Sequence, residues 1–192
     1  FLINKEVEHY GAVALNAQGI ASNINSICFI LPASIGTTVT SMISMNLGIG
    51  NIEKSKKIFY CGITTSIVIA LFIITSTLPF SNVFTLSFTR EKAVLDIANR
   101  ALNIYTYSVI GFGIFCVCQG VFIALARTKV PMFMSILRIW FFRYLFILFT
   151  KSTLGLYSVF WGNLFSNLLA GTVFFILVLN IDSVSYTHLR AH

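Results

Sequence analysis

From Tyr10 to Ile52 the chain runs for 43 residues without an Asp, Glu, Lys or Arg. Three further charge-free runs follow: Ile58 to Thr89 (32 residues), Ala101 to Ala126 (26) and Ser152 to Ile181 (30). A helix crosses the hydrocarbon of a bilayer in about 20 apolar residues, so each run is long enough to span one. In a chain of 192 residues this leaves little sequence to face water. Composition agrees: 57% of residues are hydrophobic and 10% charged, with a mean hydropathy of +0.87, against about a quarter charged in a soluble domain. Soluble metabolic enzymes, disordered tails and secreted disulfide scaffolds are excluded.

The formal charge of +7 would suggest nucleic acid in a soluble protein, but its location argues otherwise. Lys54, Lys56, Lys57, Arg127 and Lys129 lie in short connections beside apolar runs, where cations orient spans and meet anionic headgroups. No basic face interleaved with aromatics is present, so nucleic acid is not an expected partner. Against those five, the opposite side has four, Lys5, Arg90, Lys92 and Lys151, or five if Arg100 is included. The slight bias places the turns at 48–57 and 127–130 in the cytoplasm. Cys28, Cys61, Cys116 and Cys118 lie within apolar runs without a CxxC pair or a His cluster, and read as small buried thiols.

Continuous apolar runs fit helices better than the alternating ten-residue strands of a membrane barrel. The expected fold is an all-α membrane protein, a polytopic bundle over residues 11–181 with spans at about 11–48, 58–79, 97–126, 131–149 and 154–180. As one helix the first run would reach ~65 Å, about twice the hydrocarbon thickness, so it must tilt, kink or protrude. Pro32 with Gly36 one turn later loosens it in the middle. One kinked helix is preferred to two short spans, because residues 11–26 are rich in Ala, Asn, Ser and Gln. Gly48 and Gly50 before Asn51 read as a helix end; with no third glycine and no preceding strand they are not a phosphate cradle. Thr89 before Arg90 and Glu91 is the expected N-cap of a short surface helix, and Pro131 suits the first turn of the fourth span.

Residues 1–10 have no initiator Met and are expected to finish an earlier helix of a longer protein. At the other end VSYTHLRAH, residues 184–192, resembles a translated sequencing-adapter tail and is left out of the functional argument.

Polar residues within the runs mark either a pathway or helix packing. Ser34, Thr37, Ser41 and Ser44 recur at helical spacing and form one stripe. Asn16, Gln18, Asn23 and Asn25 precede the proline, and amides at membrane depth need protein or water beside them, which suggests a cavity wall. In the third span Asn99, Asn103 and Thr106 share a face, with Tyr107 close by and Gln119 further along. The competing reading is helix packing, with hydroxyls bonded to the carbonyl one turn back. Arg138 and Arg143 are the only full charges well inside a span, where a guanidinium costs ~2.5 to 3.5 kcal/mol on insertion scales. Five residues apart, they should stand about 140° around an α-helix, so Arg138 is expected in the interior and Arg143 snorkelling to headgroups. No Asp or Glu lies inside a span, and no Ser-His or Cys-His arrangement is present. An enzyme is not expected, nor a metal or cofactor.

Three stretches carry a family resemblance: GAVALNAQGIASNINSICFILPASIGTTVTSMISMNLGIGNIEKSKK, QGVFIALARTKVPMFMSILRIW and GLYSVFWGNLFSN. In order and spacing, over about residues 1–180, they resemble the C-terminal lobe of the multidrug and toxic compound extrusion family, from the end of helix seven through helix twelve. The resemblance implies a twelve-helix protein of two lobes around a central cavity that opens alternately to each side. It also implies export of amphipathic organic cations in exchange for H+ or Na+. Two departures stand out: Ala126 where the family usually has Gly, and Tyr144 after Arg143 where a proline is common. The acidic residues that some members carry in this lobe find no match, so the resemblance places the coupling carboxylate in the N-terminal lobe.

The resulting reading is one lobe of a secondary active efflux antiporter in a bacterial cytoplasmic membrane. Asn16, Gln18, Asn23, Asn25, Ser34, Thr37, Ser41, Asn103, Thr106, Tyr107 and Gln119 are the expected cavity lining, and Arg138 a structural or cavity charge. A lipid or lipid-linked oligosaccharide flippase of the same superfamily is the rival within transport; it should carry several cavity cations. A membrane assembly subunit without transport is the third reading.

Overall fold

The structure, a computed structural model, describes residues 6–189, with side chains described as far as Ile181. The tail at 184–192 and residues 1–5 therefore lie outside the described side chains. After a helical end at residues 6–8 come α1 (Ala12–Gly48), α2 (Ile52–Thr77), the short α3 (Ser81–Leu86) and α4 (Lys92–Ala124). The chain continues with α5 (Lys129–Ile136), a π-helical stretch (Leu137–Phe142), α6 (Arg143–Leu154) and α7 (Tyr157–Leu189). Five helices are long and apolar enough to cross a membrane, counting Lys129–Leu154 as one, and no strand occurs among the described residues.

α1 runs unbroken through Pro32, whose missing N–H leaves the carbonyl of Cys28 without its helical donor. Its end is a Schellman turn: Gly50 takes a φ of 74°, its N–H bonds to Leu47 O at 3.0 Å, and the Asn51 N–H bonds to Asn46 O at 2.8 Å. Asn51 then caps α2, its side chain accepting from the Lys54 N–H at 3.1 Å. Lys54, Lys56 and Lys57 are thus drawn into the first turns of α2 rather than left in a loop.

α4 ends with the same hydrogen bonds. Ala126 N–H bonds to Ile123 O and Arg127 N–H to Phe122 O, each at 2.9 Å. The residue in the left-handed position here is Ala126, at φ 58°. This supplies the physical reason for a glycine at that place: an L side chain there presses on the following carbonyl.

The start of α4 corrects one expectation. Its N-cap is Glu91, with Thr89 two residues upstream accepting the Glu91 N–H at 3.2 Å, and the short helix lies before Thr89 rather than after it. α3 is held to α4 by Asn99, which accepts from the Thr85 hydroxyl and donates to Asn82. Asn99 is therefore engaged with α3, at the start of the α4 face it shares with Asn103 and Thr106.

α4 is the central helix, packed against α1, α2 and α7. Its contacts are close because they are made by small residues, the usual way helices approach in lipid. A Cβ on Gly111 would lie 2.6 Å from the Asn167 carbonyl oxygen, and one on Gly171 would lie 2.5 Å from Gly111 O. Across α1, a Cβ on Gly36 would meet Cys116 O at 2.8 Å. Aromatic residues fill the remaining space. Phe122 stacks on Phe174 with centroids 4.9 Å apart, and Tyr105 meets Phe160 edge-on at 5.7 Å. Ile27, Phe72, Trp140 and Phe149 point outward, as residues bathed in hydrocarbon do.

Candidate functional site: a polar cavity around Arg138

The glycine contacts bring α1 and α4 together, while the π-helical stretch packs on α7 and reaches α4 through Arg138. Between these elements is a cavity of about 310 Å³ lined by Gly36, Thr37, Thr40, Phe112, Phe115, Cys116, Gln119, Gly120, Ser135 and Arg138, among others. Arg138 dominates it. Its guanidinium lies 5.2 Å from the ring centroid of Phe112 and 4.8 Å from that of Phe115, both on α4. Its Nη1 donates to Asn167 Oδ1 of α7 at 2.6 Å. A charge-assisted bond and two ring faces are favourable partners for a guanidinium away from water.

That bond opens a polar relay across the bundle. Asn167 Nδ2 donates to Asn163 O at 2.8 Å and Oδ1 at 3.2 Å, Asn163 Nδ2 to Ser108 Oγ at 3.4 Å, and Ser108 Oγ to Tyr105 O at 2.6 Å. Asn163, Asn167 and Ser108 are all buried. A buried network of this kind ties the three elements to one another.

The relation of the two arginines differs from the sequence expectation. Arg138 stacks on Phe112 and Phe115 and Arg143 lies beside Tyr105, so both face α4. The reason is the π-helical stretch Leu137–Phe142. Its hydrogen bonds run from i to i+5, which brings positions five apart toward one face instead of spreading them 140° around the helix. Arg143 is half-buried, with its Nε enclosed and without an acceptor, so it does not reach out as a snorkelling residue.

With the geometry in place, comparison with known proteins gives the family. A family model described as MatE matches residues 1–149. The chain belongs to the MATE family. Among curated relatives, the probable multidrug resistance protein YoeA of Bacillus subtilis is 27% identical over 134 residues, which cover 70% of this chain and 29% of that protein. A probable multidrug resistance protein NorM of Haemophilus ducreyi is 24% identical over 68% of this chain and 28% of its own length. This MATE chain therefore spans less than a third of the relatives it matches. Among solved structures, a MATE transporter in complex with MaL6 superposes with a TM-score of 0.89 at 18% identity, over 97% of this chain and 43% of that one. The Vibrio cholerae MATE transporter VcmN in its bent form gives 0.83 at 23% identity, over 90% and 39%. At these identities the likeness shows the fold: one lobe of a helical transporter, in an integral membrane protein.

Within this MATE lobe the expected lining residues separate into three groups. Thr37, Gln119 and Arg138 meet at the cavity. Gln18, Asn25, Asn103 and Thr106 lie inward; Gln18 is 8% exposed, Asn25 5% and Thr106 fully buried. Gln18 Oε1, Asn25 Oδ1 and Asn103 Oδ1 are enclosed without a hydrogen-bond donor, while Thr106 donates to Leu102 O at 2.8 Å. Asn16, Asn23, Ser34, Ser41 and Tyr107 stand on the outer surface of the lobe. The hydroxyl stripe is bonded along its own helix: Ser34 to Ile30 O, Thr37 to Ser34 O, Ser41 to Thr37 O and Ser44 to Thr40 O, at 2.8 to 3.2 Å.

Sequence reasoning missed Thr40, Ser135, Asn163 and Asn167. The last two carried a signal, since in GNLFSN they stand four apart on one helical face. Ser135, three residues before Arg138, had none.

Proposed function

We propose that this chain is one lobe of a secondary active efflux antiporter that exports amphipathic organic cations across a bacterial cytoplasmic membrane in exchange for H+ or Na+. The observation that carries the reading is the match to a transporter family over residues 1–149. Thr37 and Gln119 contribute wall, and Arg138 fixes the π-helical stretch against α4 and α7. Asn16, Asn23, Ser34, Ser41 and Tyr107 are solvent-facing in this lobe and face a second lobe across the central route. Gln18, Asn25, Asn103 and Thr106 stiffen the wall behind them. No carboxylate lines the cavity, which supports assigning the coupling ion mostly to the other lobe.

Coupling follows from differential affinity. The ion must stabilise one facing state more than the other, and cargo the reverse, because a ligand with equal affinity for both shifts nothing. The test is retention of a cationic dye or antibiotic in a drug-sensitive host expressing the full reading frame that contains this sequence. Lower retention that collapses when the proton and sodium gradients are discharged is expected. Unchanged retention with good membrane expression would overturn the proposal.

A further inference from the structure

We propose that the cavity beside Arg138 binds a small monovalent anion, either a free halide or a carboxylate borne by an organic solute. The first argument is charge. The carboxylates among the described side chains are Glu6, Glu8, Glu53, Glu91 and Asp96, all near helix ends, and none lines the cavity. The Arg138 guanidinium therefore has rings and one amide for company but no counter-charge.

The second argument is an excess of donors. Arg138 Nε is enclosed and has no acceptor. Neither the Gln119 amide nor the Ser135 hydroxyl makes a hydrogen bond among the described residues, and both line the same space. The two threonines are already committed, Thr37 donating to Ser34 O and Thr40 to Gly36 O at 2.8 Å each. What lines the void without a committed acceptor is the Gln119 amide and the Ser135 hydroxyl beside the Arg138 guanidinium charge, a set that matches an acceptor carrying negative charge.

Room and backbone form agree. A void of about 310 Å³ holds a halide with several waters, at roughly 30 Å³ for each water. Arg138 sits in the π-helical stretch, a form found mostly where a helix serves a local function. The site goes beyond the efflux reading, since anion binding would hold whether or not cargo is exported.

The experiment uses the full-length protein in detergent, melted in isethionate and again with bromide or acetate replacing it at constant ionic strength. A saturable rise in melting temperature is expected with either anion. Bromide and acetate competing for one site identifies a free monovalent anion as ligand; acetate acting alone identifies a carboxylate. Arg138→Met should abolish the rise. Removing one charge-assisted bond weakens affinity roughly tenfold to a hundredfold, so Arg138→Lys and Gln119→Leu should move the midpoint to higher anion concentration. These two variants keep the test alive if Arg138→Met does not fold. No saturable rise with either anion, or a midpoint unchanged in Arg138→Lys and Gln119→Leu, would overturn the assignment.

Discussion

α1 and α4 are the two longest fully described helices, 37 and 33 residues, and both are apolar enough to span a bilayer. In their most apolar windows, however, 22% of α1 is buried against 56% of α4. The difference is carried by small residues rather than by oiliness. α4 places Gly111, Gly113 and Gly120 where neighbouring helices touch its backbone, whereas Gly19 and Gly48 of α1 have nothing within 4 Å of a built Cβ. α1 instead exposes a stripe of amides and hydroxyls. One helix is the axle of the lobe and the other is its wall, a distinction that hydropathy alone does not draw.

The largest expected effect tests the axle. Gly111→Leu should push Asn167 and α7 away from α4, costing about 3 kcal/mol or more. It should be seen as a large fall in melting temperature and loss of a monodisperse peak in detergent. The matched change on the wall, Gly19→Ala, meets open space in this lobe and should stabilise by about 1 kcal/mol through helix propensity alone. A destabilising Gly19→Ala would show that another surface covers α1 at that point, which would sharpen the picture of where a second lobe sits.

Next in size is the relay behind α4. Asn167→Leu removes the acceptor of Arg138 Nη1 and leaves a half-buried guanidinium without its hydrogen bond. A bond to a charged group is worth about 1.5 to 3 kcal/mol, so a stability loss of that order is expected. If the loss is far smaller, Arg138 already has another partner in solution, and the cavity anion is the natural one to examine.

The two helix ends provide a third comparison. They share one hydrogen-bond pattern and differ in the residue at the left-handed position, Gly50 after α1 and Ala126 after α4. Ala126→Gly should stabilise by about 0.5 to 1 kcal/mol, as relief of the left-handed strain outweighs added freedom of the unfolded chain. Gly50→Ala should destabilise by about 1 kcal/mol for the same reason. Melting curves of the two single variants should move in opposite directions.

The oily runs, their helical nature and the family were legible in the sequence, because a bilayer demands internally bonded apolar segments and little else satisfies it. The cavity was legible only in part. Thr37, Gln119 and Arg138 come from three separate runs, and each was singled out for its polarity at membrane depth. What could not be read was how the runs face one another. A π-helical stretch at Leu137–Phe142 turns Arg143 toward α4, and no residue in LRIWFF announces it. Ser135 and Thr40 become cavity residues only once Gly36 and Gly120 set the distance between α1 and α4. Asn163 and Asn167 lay within a stretch already noticed for its resemblance, but their roles depend on what α4 and Arg138 bring opposite them.

The smallest expected stability effect bears most directly on the wall. Ser34 and Ser41 are exposed and donate to carbonyls of their own helix, Ile30 O at 2.9 Å and Thr37 O at 3.2 Å. Such bonds add little, so Ser34→Ala and Ser41→Ala should leave stability within about 0.5 kcal/mol of the parent. The informative measurement is therefore export. A hydroxyl bonded back to its own carbonyl still offers its oxygen lone pairs outward, so a residue on the cargo route loses a contact on substitution without loosening the fold. A fall in dye export with an unmoved melting temperature would place that stripe on the route, whereas unchanged export would assign these hydroxyls to the helix alone and leave the Arg138 cavity as the polar feature of α1 that matters.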